Sequence, residues 1–298
     1  MKPATTLEQQ LKIFKERNLI VENDKKVLRF LKFNNYYRFS GYTKCFCKSN
    51  DCFEEKVTFE DIYGAYAFDI QLRSLLNRYI EQIEVIYKTL LAYHLANEYS
   101  PLFYKNSNYY LISEEEFDAF SAKINDDVEN MSNNEAFATH FGSEMPIWAL
   151  VELISFGTMS KFYSYIKQEY FSTLCCSLSR LDLIRISSGL HSMTIVRNIC
   201  AHRARLFNRG FTYAPRLSNR SLKHLKFENN PKTNNRSLFI YCCSLLELLN
   251  DYEYGEKFIN DISDIIDNAP QSIDVYKNFG FFSNWKAVLL QINLDNKQ

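Results

Sequence analysis

TFEDIYGAYAFDIQLRSLLNRYIEQIEVIYKTLLAYHLANEY, residues Thr58–Tyr99, decides the fold class. Thr58 with Asp61 three residues on is a helix-start signal, a hydroxyl and a carboxylate placed to cap the first N–H groups. Tyr66 and Ile70, then Leu76, Ile80, Ile83, Tyr87, Leu90 and His94, recur mostly at three- and four-residue steps, with Arg73 as the polar exception. That is the spacing of one helix face. Ser100-Pro101 ends the run, because a residue before proline is pushed out of the helical region. Glu84 sits among apolar neighbours and reads either as a buried acid paired with an arginine, Arg73 or one from the helix that carries Arg197, or as a partly exposed acid.

The same signals recur on both sides. Thr6 with Gln9 opens a helix over 6–17 lined by Leu7, Leu11 and Phe14, and Asp24 caps a second one through Val27, Leu28 and Leu31. Tyr36-Tyr37-Arg38 follows, Gly41 closes this unit, and 43–57 reads as a loop or short hairpin. Ser113 with Glu116 caps an acidic helix to about Met131, broken by Asn133-Asn134. Pro146 introduces a helix containing Trp148, Leu150, Leu153 and Ile154, interrupted at Gly157. A further helix runs from Arg180 to about Phe207, with a break near Ser187-Ser188-Gly189 that leaves His191 just after it. Residues 210–235 read as an irregular connection, and Arg236–Asn250, Glu256–Asn268 and Ser283–Leu294 as three more helices. No long strand alternation is visible, so the fold class is all-α with little or no β. The division is an N-terminal helical segment over 1–57 and a main helical domain over 58–298, or one continuous domain.

Charge is balanced overall, 35 basic against 35 acidic residues, but not locally. Between Arg197 and Arg236 there are ten Lys/Arg and one acid, Glu228. Such a segment suits a polyanion, and equally a solvated face balanced by acidic neighbours. Eight cysteines include no C-x-x-C spacing and the five histidines are scattered, so no metal site or cofactor is expected; the adjacent pairs Cys175-Cys176 and Cys242-Cys243 read as small buried hydrophobes. With no signal-peptide core at the N-terminus and no long uncharged apolar run, a cytoplasmic protein with reduced thiols is expected and no membrane partner.

Chemistry concentrates in Arg197-Asn198-Ile199-Cys200-Ala201-His202-Arg203-Ala204-Arg205-Leu206-Phe207-Asn208-Arg209. If the helix runs that far, Asn198, His202, Arg205 and Arg209 form one polar stripe within roughly 60°. RNA can be cut without a metal when a base deprotonates the ribose 2′-OH and cations stabilise the phosphorane. Histidine is suited to the proton exchange and arginine to the phosphate. An arginine followed by four to six residues and then a histidine is not diagnostic, since Arg185 to His191 fits that pattern as well as Arg197 to His202. By spacing alone the plainer reading is a helix-surface arginine and a hydrogen-bonded histidine near a helix end.

The stretch resembles the Arg-Asn-x-x-x-His signature of HEPN ribonucleases, and more closely the RN-x-C-AH-x-x-R-L-x-NR block of the Abi family, the AbiD/AbiF-type abortive-infection proteins. Three other segments match in order: Leu31 to Tyr42 with its Tyr-Tyr-Arg-x-Ser-Gly-Tyr block, Phe68-Asp69-Ile70-Gln71-Leu72-Arg73 with Ile83-Glu84-Val85, and Pro146-Ile147-Trp148 with Glu152 to Gly157. Phe207 stands where an aromatic tryptophan is common in the family. The resemblance implies a HEPN-like helical bundle, dimerising through two facing signature helices, and a metal-independent endoribonuclease leaving a cyclic phosphate and a 5′-OH. It implies catalytic roles for His202 (acid/base), Arg197 (phosphate) and Asn198 (orientation), and RNA-backbone roles for Arg203, Arg205 and Arg209. Its setting is phage defence, as a toxin restrained by a cognate protein or a structured RNA. The competing class is a non-catalytic RNA-binding or dimerising module that keeps the helix.

Overall fold

The computed structural model describes residues 4–48, 52–132, 141, 144–171, 181–226 and 235–296. Among the described residues there are thirteen α-helices and no sheet; extended pairing is limited to the isolated bridges Ile20–Thr58, Cys47–Phe53 and Tyr110–Ile166.

The spine is α4 (Phe59–Glu98), about 60 Å long at 1.5 Å per residue. Its start is a reciprocal box: Asp61 N donates to Thr58 Oγ1 at 3.2 Å and Thr58 N donates to Asp61 Oδ2 at 2.8 Å. Ile62, Ala65, Phe68, Leu72, Leu76, Ile80, Ile83, Tyr87, Leu91 and Leu95 are all buried along it. Burial of each large apolar side chain contributes roughly 1.5–3 kcal/mol, so this stripe rather than helix propensity holds the spine in place. Glu84 pairs with Lys88 at 2.9 Å, one turn on, and not with an arginine.

α1 (Leu7–Glu16), α2 (Asp24–Phe33) and α3 (Tyr36–Thr43) gather at the beginning of the spine. Thr6 and Gln9 form the α1 capping box. Asn23 caps α2, one residue before Asp24, which instead pairs with Lys15 at 2.7 Å. Phe30, Phe39 and Phe59 interlock with ring centroids 4.8–5.6 Å apart. Gly41 does not close this unit, because α3 continues through it to Thr43. Tyr36 stacks on Phe14 in the core, whereas Tyr37 is exposed.

α5 (Glu114–Ser132) starts at the Ser113–Glu116 pair. α6 (Ile147–Leu153) and α7 (Phe156–Tyr165) are separated at Ile154-Ser155, two residues before the expected interruption at Gly157. The reason is chemical: Ser155 Oγ accepts from Thr158 N at 3.2 Å, and Ser155 N donates to the buried Asp127 at 3.0 Å.

α8 (Leu183–Ala201) packs against α4, α7 and α10 (Leu238–Leu249). It is unbroken at Ser187-Ser188-Gly189. Gly189 lies so close to Leu248 that a Cβ there would stand 3.0–3.2 Å from three of its carbons. The small residues make a packing notch between helices. Every side chain of α10 is buried. Between them, α9 (Asn219–Leu225) lies inside the stretch that reads as irregular connection, started by the Ser218 cap. α11 (Tyr252–Asp267), α12 (Val275–Phe279) and α13 (Trp285–Asp295) complete the bundle. No helix among the described residues is long and apolar enough to cross a membrane. The helix break at Asn133-Asn134, the pair Cys175-Cys176, the helix start at Arg180 and the turn at Asn229-Asn230-Pro231 with Asn234 lie outside the described residues.

Candidate functional site

The signature helix ends at Ala201, not near Phe207. Arg203 N donates to Cys200 O at 3.0 Å and Ala204 N to Ile199 O at 2.8 Å, the paired bonds that terminate a helix through a left-handed residue. That residue is Arg203, with φ +55°, where glycine is the usual occupant. Arg38 Nη1 supports it by donating to Arg203 O at 2.6 Å. With glycine absent from the stretch, its end carries no sequence signal. The consequence is that the expected stripe of Asn198, His202, Arg205 and Arg209 does not form.

Arg197, Asn198 and His202 do stay together, on the last turn of α8 and its cap. Asn198 and His202 are exposed and Arg197 is half-buried. Arg197 Nη1 donates to Asn198 Oδ1 at 3.1 Å, and His202 N donates to Asn198 O at 3.0 Å. The Asn198 side chain therefore engages the guanidinium rather than the imidazole. Beside this turn, Cys200, Ala201 and Arg203 line a cleft of about 510 Å³ with Arg38, Arg73 and Asn77. Burial pushes the Cys200 thiol up to about 12, despite the nearby Arg73, so it stays protonated and is no nucleophile there.

Beyond His202 the chain turns inward. Asp69 of α4, with no exposure, is the hub: its Oδ1 accepts from Leu206 N at 2.9 Å and Phe207 N at 2.6 Å, and its Oδ2 from Tyr42 OH at 2.7 Å and Arg73 Nε at 3.1 Å. Burial, then the charge of Asp69, pushes the Tyr42 hydroxyl well above the usual phenol range, so it remains a donor. Phe207 is buried between Tyr42, Phe46 and Phe279. Arg205 Nη1 donates to Gly41 O and its guanidinium lies over the Tyr42 ring. Arg205 is thus turned to α3, while Arg203 and Arg209 are exposed; Arg209 Nη1 donates back to Arg205 O at 3.1 Å. Asp69 and Arg73 lie in a block that reads as helix face. The one available signal was an Asp-to-Arg spacing of four in an otherwise apolar stripe.

His191 is exposed, edge-on to Tyr213 at 4.6 Å. Ile184, His191 and Asn198 are seven residues apart and all exposed, while Ser188 on the same face is buried under Tyr213 and Arg216.

Fold and site define a class: an all-helical protein that displays an Arg-Asn-x-x-x-His helix end at its surface. The chain matches the family of Abi-like proteins over residues 29–208, more than half its length, and it belongs to that family. No curated protein and no solved structure matches it.

Proposed function

We propose that the protein is a metal-independent endoribonuclease of HEPN type that acts in bacterial defence by abortive infection, as the growth-arresting component. The observation that carries this reading is the convergence of Arg197, Asn198 and His202 on one exposed helix end beside an arginine-lined cleft. Family membership supports the defence setting. The exposed Ile184, His191 and Asn198 on α8 support a homodimer in which two such ends face each other. One histidine then takes the 2′-OH proton, the 2′ oxygen bonds to phosphorus, the bond to the 5′ oxygen breaks, and the second histidine returns a proton to it. Arg197 of each copy holds the charge that develops on the phosphoryl oxygens. In this reading the exposed Arg203 and Arg209 hold backbone phosphates, and Arg205, occupied at Gly41, holds the loop. Such an activity needs a restraint, a cognate protein or a structured RNA.

The test is induction of wild type and His202→Ala in bacteria, followed by purified protein on RNA with EDTA present. Growth arrest and cyclic-phosphate ends are expected from wild type, with cleavage down about 10²–10⁴-fold in the variant. Equal toxicity and equal RNA integrity in both would favour the RNA-binding module. Cleavage surviving His202→Ala would remove the catalytic assignment.

A further inference from the structure

Arg73 is the one arginine or lysine among the described residues that is buried, at 8% exposure. Asp69 holds it at Nε only. A guanidinium has four further N–H donors, on Nη1 and Nη2. Among the described residues none of these meets an acceptor, and neither nitrogen is sealed from solvent. Arg73 lines the cleft of about 510 Å³ beside the His202 turn, so its terminal donors face that opening. Buried charges are ordinarily hydrogen-bonded within the protein. This one keeps its fork free, and a free fork is what a phosphate takes with two oxygens.

The walls of the cleft agree. Arg38 and Arg203 line it and, among the described residues, no carboxylate does. Asp69 stands behind the guanidinium with no exposure, its oxygens occupied by Tyr42, Arg73 and the N–H groups of Leu206 and Phe207. It fixes the plane of the fork without entering the cleft. The protonated Cys200 thiol adds no opposing charge. Ile70, 40% exposed, and Tyr66 give the cleft an apolar wall. A fixed planar donor pair beside an apolar wall suits the phosphate and sugar of a nucleotide better than a bare anion.

We propose that Arg73 is a substrate-binding residue, whose Nη1 and Nη2 fork onto the non-bridging oxygens of an RNA phosphodiester other than the scissile one, with Asp69 as the positioning residue behind it. The assignment rests on RNA as the substrate but not on His202 as its acid or base. A terminal phosphate offers the same oxygens, and the test separates the two sources. Binding to the full chain is measured at constant ionic strength with 2′-O-methyl RNA, which lacks the attacking hydroxyl. One arm has no terminal phosphate and carries a single neutral methylphosphonate, moved along the strand; the other carries a 5′-phosphate. In wild type, one internal methylphosphonate away from the cut site is expected to weaken binding about tenfold, the loss of one charged contact. Arg73→Lys keeps a charge beside Asp69 but loses the fork. It is expected to bind the unmodified strand about tenfold more weakly and to be indifferent to that position. Ile70→Glu, on the exposed rim, places a carboxylate against the fork and should give the same pattern, which keeps the assignment falsifiable if Arg73→Lys fails to fold. A merely structural role for Arg73 would not single out one phosphate. Dependence on the 5′-phosphate alone overturns the phosphodiester in favour of a terminal group. Equal methylphosphonate penalties in wild type and both variants overturn the site while leaving RNA cleavage standing. Absence of both binding and cleavage removes RNA as the substrate, and the assignment with it.

Discussion

Two buried carboxylates hold the polar chain that follows α8, and they do so differently. Asp69 pins its beginning, at Leu206 and Phe207, and has Arg73 at 3.1 Å as a counter-charge. Glu247 pins its end, where Oε1 accepts from Ser218 N at 2.8 Å and Ser221 Oγ at 2.5 Å. Arg185, the cation near Glu247, is itself bonded to Asp182. Burial therefore raises the Glu247 carboxyl above its ordinary value, only partly offset by those hydrogen bonds and Arg185. The first acid is a charged clamp beside the candidate site. The second is a hydrogen-bonded buttress beneath α9 that binds its proton more tightly than a carboxyl in water. The chain between α8 and α9, whose second half reads as irregular connection, is anchored at both ends from the helical core.

The contrast can be broken by removing the clamp. Asp69→Ala strands Arg73 and two backbone N–H groups in the interior, and a loss of about 3–5 kcal/mol in chemical denaturation is expected. A loss under 1 kcal/mol would show that Asp69 does not organise the loop. Arg205→Ala removes a charged donor from Gly41 O and should cost about 1.5–3 kcal/mol. If instead it weakens RNA binding at unchanged stability, Arg205 belongs to the substrate surface. At Arg203 the sign reverses: Arg203→Gly relieves a left-handed arginine and should stabilise by up to about 1 kcal/mol while lowering RNA affinity. A drop in melting temperature would contradict the backbone argument.

The smallest effect sharpens the comparison through pH. A carboxyl raised on folding binds its proton more tightly in the folded state. Its penalty is absent below the unfolded value of 4.5 and develops as pH rises through the folded value. Glu247→Gln keeps an acceptor for Ser218 and Ser221, so its melting temperature relative to wild type should improve from pH 4 to pH 7. A flat difference would mean that Glu247 is not raised.

Much of the fold was legible. Capping pairs such as Thr6–Gln9, Thr58–Asp61 and Ser113–Glu116 mark helix starts because the pairing is local chemistry. Helix ends were read less well. Ala201 ends α8 through an arginine in the left-handed region, and Ser155 starts α7 because a distant acid, Asp127, takes its N–H. The motif Arg197-Asn198-x-x-x-His202 was legible as residues, but its division from Arg205 depends on Gly41 and Asp69, more than a hundred positions away. Gly189 was misread because a glycine that makes room for another helix looks, in one dimension, like a glycine that ends one.

That notch has a mechanical consequence. With Leu248 seated at Gly189, α8 and α10 cannot slide past each other without a steric clash, so their axial register is fixed. His202 rides on the end of one helix and Ser237 on the start of the other. The spacing between these two helix ends is therefore set by the packed core and not by the chain that joins them.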